Sequence, residues 1–222
     1  MPIQLFIGFT VEGTTDTQFL TQVIQNVFED IAFECRTDVV IEDVRPVHVH
    51  KTEFTETMLN ATRQAAECGI TVLCIHADSD SRDVENVMES KFTPFTEVLN
   101  SLSADEYCKA IVPVIPIQMT EAWMMADKEL LKTKIAAQGK RDADLGLERA
   151  PEAYADPKQA IVDAIRIAQA EKTKRRRNEL TIIDLYDEMG QSIPLQRLRE
   201  LPSFRHFEEN VRSAFRSLGY IE

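Results

Sequence analysis

Eight residues, Ile70-Thr71-Val72-Leu73-Cys74-Ile75-His76-Ala77, run between Gly69 and Asp78 with almost no polar side chain among them. A β-branched apolar run of this length, bounded by a breaker and an acid, predicts a strand rather than a helix. With no alternation of polar and apolar residues, the strand is expected to be buried on both faces. That is the habit of a mostly parallel sheet covered by helices, and it sets the expected fold class as α/β.

The rest of the N-terminal part supplies the neighbours such a strand needs. Ile3 to Thr10 is a second β-rich run, and Thr15 to Ile31 follows it with Phe19, Leu20, Val23, Ile24, Val27, Phe28 and Ile31 at a 3.6-residue period. In "VVIEDVRPVHVH" Pro46 predicts an edge or bent strand. Thr55 to Cys68 reads as a helix stopped by Gly69, and Val84 to Leu102 as a helical stretch interrupted near Pro94. "AIVPVIPIQM" is a fourth extended segment, and "TEAWMMADKELLKTKIAAQ" a helix with Thr120 as its N-cap.

Four βα units in series predict a Rossmann-like, mostly parallel sheet flanked by helices over residues 1–135. Beyond them the strands stop, and residues 136–222 read as an α-helical C-terminal extension packed on the first part. "GKRDADLGLERAPEAYADP" is rich in breakers and charge and reads as a connector or partly mobile loop. Helical candidates follow at Lys158 to Lys174, Leu180 to Met189, Pro194 to Arg199 and Phe204 to Leu218.

Composition limits the function classes. No stretch approaches the roughly 18 apolar residues of a membrane span, and "MPIQLFIGF" lacks the basic region of a secretory signal. Cys35, Cys68, Cys74 and Cys108 are scattered without C-x-x-C spacing, so free thiols in a cytoplasmic protein are expected. The formal net charge is -12, unevenly spread: residues 1–130 hold 8 Lys+Arg against 22 Asp+Glu. The C-terminal part carries "KTKRRR", Lys172 to Arg177. Lys174, Arg175, Arg176 and Arg177 there suit a nucleic-acid backbone or, equally, a solvated helix end.

Carboxylates fall at the ends of the expected strands. Glu12 follows the first, Asp78 and Asp80 the third, and Glu121 the fourth. In a parallel α/β sheet the functional crevice lies outside the carboxyl ends of the strands. Crowded carboxylates repel one another unless a cation neutralises them, and hard oxygen ligands of this kind suit Mg²⁺ or Mn²⁺. Asp78 and Asp80, two apart in an extended segment, point the same way. Gly13 permits a tight turn close to a phosphate, and the helix that follows offers its N-terminus to an anion. Each acid taken singly also reads as a turn former or cap. Asp16 and Asp83 are further candidates for the acidic edge, although Asp16 sits where the helix dipole alone would favour it.

"VEGTTDTQFL" with the later "HADSDSRD" resembles the TOPRIM domain of topoisomerases, bacterial primases, recombination-repair proteins and OLD-type nucleases, over roughly residues 3–125. "PVIPIQMTEAWMMAD", "ADPKQAI" and "LPSFRHFEENVRSAF" extend the resemblance to a family of small bacterial TOPRIM-like proteins containing a domain of unknown function. The resemblance implies that Glu12 is an acid/base or metal ligand and that Asp78 and Asp80 are the metal-binding D-x-D pair. Glu121 matches the glutamate of the narrower family's "EAW" motif, with a metal or water-positioning role. Lys158 and the Ser203–Phe207 segment also match, and Lys158 joins Gly13 and the basic run as a phosphate or nucleic-acid contact.

The expected function is therefore a Mg²⁺-dependent phosphodiesterase, a nuclease acting on DNA or RNA, with a role in bacterial defence by analogy. The alternative is a metal-binding regulatory or effector subunit that works only with a separately encoded ATPase, since the chain has no Walker A motif. The order of the motifs argues against a HAD-type phosphatase, whose D-x-D follows the first strand. His48 and His50 share a side of a strand but lack a third ligand, Trp123 reads as core, and His76 reads as a satisfied core histidine.

Overall fold

The computed structural model describes residues 2–11, 15–79, 83–170 and 180–221. Among these are six strands, β1 (Ile3–Leu5), β2 (Ile7–Thr10), β3 (Val39–Ile41), β4 (Arg45–Pro46), β5 (Val72–His76) and β6 (Ala110–Val114). The α-helices of the first part are α1 (Asp16–Ala32), α2 (Phe54–Glu67), α3 (Val84–Val87), α4 (Thr93–Ser101), α5 (Glu121–Met124) and α6 (Lys128–Lys134). The C-terminal part adds α7 (Pro157–Gln169), α8 (Ile183–Ser192), α9 (Leu195–Leu198) and α10 (Pro202–Ser217). The fold class is α/β: every strand pair is parallel, and helices flank the sheets.

The first strand is not continuous. The chain changes partners at Phe6, whose carbonyl accepts hydrogen bonds from Thr71 and Val72 N–H at 2.8 and 3.2 Å. Before that point β1 pairs with β3; after it, β2 joins a four-stranded sheet of order β4-β2-β5-β6. Pro46 lies on the edge strand β4, where a missing N–H costs no ladder bond.

Alternation along β5 explains why its sequence is apolar throughout. Val72 and Cys74 enter a core shared with α1, α5, α8 and α10, while Leu73 and Ile75 enter a second core with Met58, Ala61 and Phe95. Both faces are therefore closed. Gly8 permits this closeness, because a Cβ there would lie 2.6 Å from Ile70 Cδ1.

The stretch after Asp83 is interrupted just before Pro94, as expected, though not by a break. It widens into a π-helical turn at Met88–Phe92, which absorbs the hydrogen bond that Pro94 cannot donate, and α4 continues from Thr93. The helix expected from Thr120 is divided into α5 and α6, the second capped by Asp127, which accepts from Leu130 N–H at 2.9 Å. The connector after residue 136 is packed rather than loose: Leu145 and Leu147 are fully buried in the main core, between 3₁₀ turns at Asp142–Leu145 and Pro151–Ala153.

The C-terminal helices share the first core instead of forming their own. Leu185, Tyr186, Phe204 and Phe215 lie in the same cluster as Ile7, Phe9 and Val72. Among the described residues, no helix is long and apolar enough to cross a membrane.

Candidate active site

The strand order sets the location. From β2 the chain passes to β4 on one side and then crosses to β5 on the other, so the order reverses between β2 and β5. Ligand crevices of open α/β sheets form at such a switch point, beyond the strands' carboxyl ends. There β2 ends at Thr10, two residues before Glu12 in the sequence, and β5 ends at His76, two before Asp78.

A buried polar cluster occupies this edge. Asp78 Oδ1 lies 3.2 Å from His76 Nε2. The same ring nitrogen lies 3.1 Å from Thr120 Oγ1, with His76 and Thr120 essentially inaccessible. Thr120 was expected to cap a helix; its side chain makes no cap bond and instead joins His76 to Asp16, with which it also hydrogen-bonds. Asp16 opens α1 and is buried. Burial pushes its carboxyl above the ordinary carboxylate range, and the negative charges of Asp78 and Glu121 push the same way, while His76 and Thr120 oppose the rise. Its place in the cluster is thus more central than its position in a helix's first turn suggested.

Glu121 opens α5 and is as buried as a core residue, at 3 % exposure. The Tyr186 hydroxyl donates to its Oε1, and Lys158 Nζ lies 3.3 Å from the same oxygen. Burial first, and then the bond to Glu121, drive the Tyr186 hydroxyl well above its usual range, so it stays a proton donor. Lys158, grouped from sequence with phosphate contacts, is an ion-pair partner of Glu121. The Ser203–Phe207 segment also acquires a role. Trp123 Nε1 donates to Ser203 Oγ at 2.7 Å, and its ring packs on Phe204 and Phe207 with centroids 5.1 and 5.8 Å away, which fixes α5 and hence Glu121.

Asp83 has a different job: its Oδ1 caps α3, accepting from Glu85 and Asn86 N–H at 2.9 and 3.4 Å. His48 and His50 are exposed. Glu12, Gly13, Asp80, Lys174, Arg175, Arg176 and Arg177 lie outside the described residues.

The fit of a divalent cation rests on one atom in particular. Asp78 Oδ1 is buried and, apart from His76 Nε2 at 3.2 Å, has no close polar partner among the described residues, which suits a ligand oxygen for a hard cation. No group of three His, Cys, Asp or Glu among the described residues forms a complete cage.

His76, Thr120 and Tyr186 were not recognised from sequence as parts of a site. His76 carried a signal, since it precedes Asp78 by two residues and so shares its side of the extended segment. Tyr186, 65 residues from Glu121, carried none.

Compared with protein families, residues 11–212 match a family described as a domain of unknown function (DUF4276). The comparisons with curated proteins and with solved structures found no match.

Proposed function

We propose, for a chain that belongs to the DUF4276 family, a Mg²⁺-dependent phosphodiesterase that cleaves nucleic acid. The observation that carries this reading is the gathering of Asp16, Asp78 and Glu121 at the switch point of the sheet, close enough that the latter two raise the pKa of the first. Two buried acids crowded beside the partly exposed Asp78 suit a site that takes a cation. The TOPRIM resemblance of the Glu12 and Asp78-Ser79-Asp80 segments supports the same choice.

Glu12, Asp78 and Asp80 would hold the ion, with the buried Asp78 Oδ1 as one donor. Mg²⁺ or Mn²⁺ supplies, when bound, polarisation of the phosphate and neutralisation of its developing charge. The chain's own residues prepare for this. Tyr186 and Lys158 anchor Glu121 through Oε1 and so fix its position for orienting water. His76 joins Asp78 to Thr120, at 3.2 and 3.1 Å from its Nε2. The basic run Lys172 to Arg177 would neutralise substrate phosphates that the acidic N-terminal part repels. A role in bacterial defence is part of the proposal by analogy alone.

The test is metal binding by calorimetry with Mg²⁺ and Mn²⁺, followed by cleavage assays on single-stranded and duplex DNA and RNA. Glu12→Gln and Asp80→Asn are expected to remain folded and to lose at least about a hundredfold in cleavage. Variants that cleave as well as wild type would sink the assignment. Metal binding without cleavage would favour an effector subunit that requires a separate ATPase.

A further inference from the structure

Two helices begin at this sheet edge on threonines, and neither threonine caps its helix. Thr120 opens α5 and turns to His76 and Asp16. Thr15 opens α1, where a side-chain oxygen ordinarily accepts from the first free amides, and it makes no such bond either. Its hydroxyl instead hydrogen-bonds the hydroxyl of Tyr186 on α8. The same Tyr186 hydroxyl is the one that donates to Glu121 Oε1. A tyrosine has one proton to give, and it goes to Glu121; toward Thr15 the phenolic oxygen is therefore the acceptor.

Packing holds Tyr186 in this place. Its side chain is fully buried, so it cannot touch a substrate and can act only through its neighbours. Gly190 lies one turn further along the same face of α8, and Phe19 one turn beyond Thr15 on α1. A Cβ on Gly190 would stand 2.8 Å from the Phe19 carbonyl oxygen and 3.1 Å from its Cα, so α8 rests directly on the α1 backbone. The two helices bound by the Tyr186 hydroxyl each carry an acid of the site. Thr15 is followed at once by Asp16, and Glu121 is the first residue of α5. Those two acids repel one another, and Glu121 is among the groups that raise the Asp16 carboxyl. A buried hydroxyl that needed only to be satisfied could use any partner. This one spends its donor and its acceptor on the starts of the two helices that repulsion would separate.

We infer that Tyr186 is a positioning residue that clamps the start of α5 to the start of α1, and so sets the spacing of Glu121 from the segment that carries Glu12, three residues before Thr15. Both contacts to Glu121 fall on Oε1, and Oε2 accepts no hydrogen bond among the described residues. Oε2 is thus the oxygen the clamp presents for orienting water. The C-terminal extension becomes a working part of the site, since α8 supplies the clamp. The inference deepens the nuclease reading and rests on it for the reaction assayed.

The test has two parts, both on the full chain. In EDTA, Tyr186→Phe is expected to speed amide hydrogen exchange about tenfold in α5 and in the first turns of α1. Thr15→Val, which removes the acceptor's partner without removing a cap, is expected to do so in α1. Tyr154→Phe is the control: its buried hydroxyl also bridges two groups, Arg149 N–H at 3.0 Å and the Gly146 carbonyl at 2.9 Å, and its loss should leave α1 and α5 as in wild type. In the metal-dependent cleavage assay Tyr186→Phe is expected to lower kcat about tenfold with KM within about twofold, and Tyr154→Phe to change neither. Tyr186→Phe added to Glu121→Gln should slow that variant no further, because the hydroxyl acts through Glu121. Unchanged exchange in Tyr186→Phe overturns the inference, as does an unchanged kcat or a rate loss that simply adds to that of Glu121→Gln. If wild type cleaves no nucleic acid, the nuclease reading fails and the exchange result alone decides the clamp.

Discussion

At the junction of α10 with α1, Glu208 is as deeply buried as Glu121 is at the strand ends, with side-chain exposures of 5 % and 4 %. Their company differs. Arg199 grips Glu208 Oε1 through Nε and Nη2 at 2.9 and 2.7 Å and also reaches Asp30, while Arg212 pairs with Glu34 at 2.8 Å. The bonds to Glu208 and Asp30 hold the Arg199 guanidinium above its usual range, so it is permanently charged. At the strand ends the three carboxylates are met instead by half-exposed Lys158, by buried His76 and by the neutral hydroxyls of Tyr186 and Thr120. Matched charge fastens one element to another. Charge left in excess in a buried place indicates something the site is built to receive.

Breaking the matched cluster should have the largest effect. Arg199→Ala leaves buried Glu208 and its neighbour Asp30 without their partner and is expected to cost about 3 kcal/mol in urea unfolding, with metal affinity unchanged. Glu208→Gln keeps the shape but weakens the charge-assisted bonds, and about 2 kcal/mol is expected by the same measurement.

The opposite sign is expected at the strand ends. In EDTA at neutral pH, Asp16→Asn should stabilise the protein by about 1 kcal/mol, as neutralising a functional cluster often does. Because burial chiefly raises the Asp16 carboxyl above 3.8, the folded state keeps this proton to higher pH than the unfolded chain does. The stabilisation from that group is complete below 3.8 and is lost as pH rises through the raised value. The advantage of Asp16→Asn over wild type should therefore grow between about pH 4 and 7. A constant difference across that range would show that Asp16 is not buried in repulsive company.

Asp83→Ala gives the smallest expected change. Loss of its cap on α3 should cost about 1 kcal/mol or less, with cleavage and metal binding as in wild type. A large loss of activity would return Asp83 to the acidic edge.

Much of this was legible in particular residues. The unbroken apolar run of β5 predicted burial on both faces, Pro46 predicted an edge, and Gly69 was expected to stop α2, which it does in a left-handed conformation at φ 71°. Asp78 and Glu121 could be placed beyond strand ends because strand and helix periods are local. Leu145 and Leu147 were misread because two leucines among charges and breakers make no period, although both are fully buried. The partner change at Phe6 was invisible, since it depends on Thr71 and Val72 rather than on residues around Phe6.

Sequence by itself determined the α/β class, the parallel strands and the acids that follow them, because hydrophobic burial imposes its period on neighbouring residues of one element. Tertiary structure alone decided that Thr120 serves His76 rather than a helix end, that Tyr186 and Lys158 hold Glu121, and that Ser203 meets Trp123 from 80 residues away. Each of those bonds joins one donor to one acceptor on different elements. Their meeting is set by how the whole core packs, which no local pattern encodes.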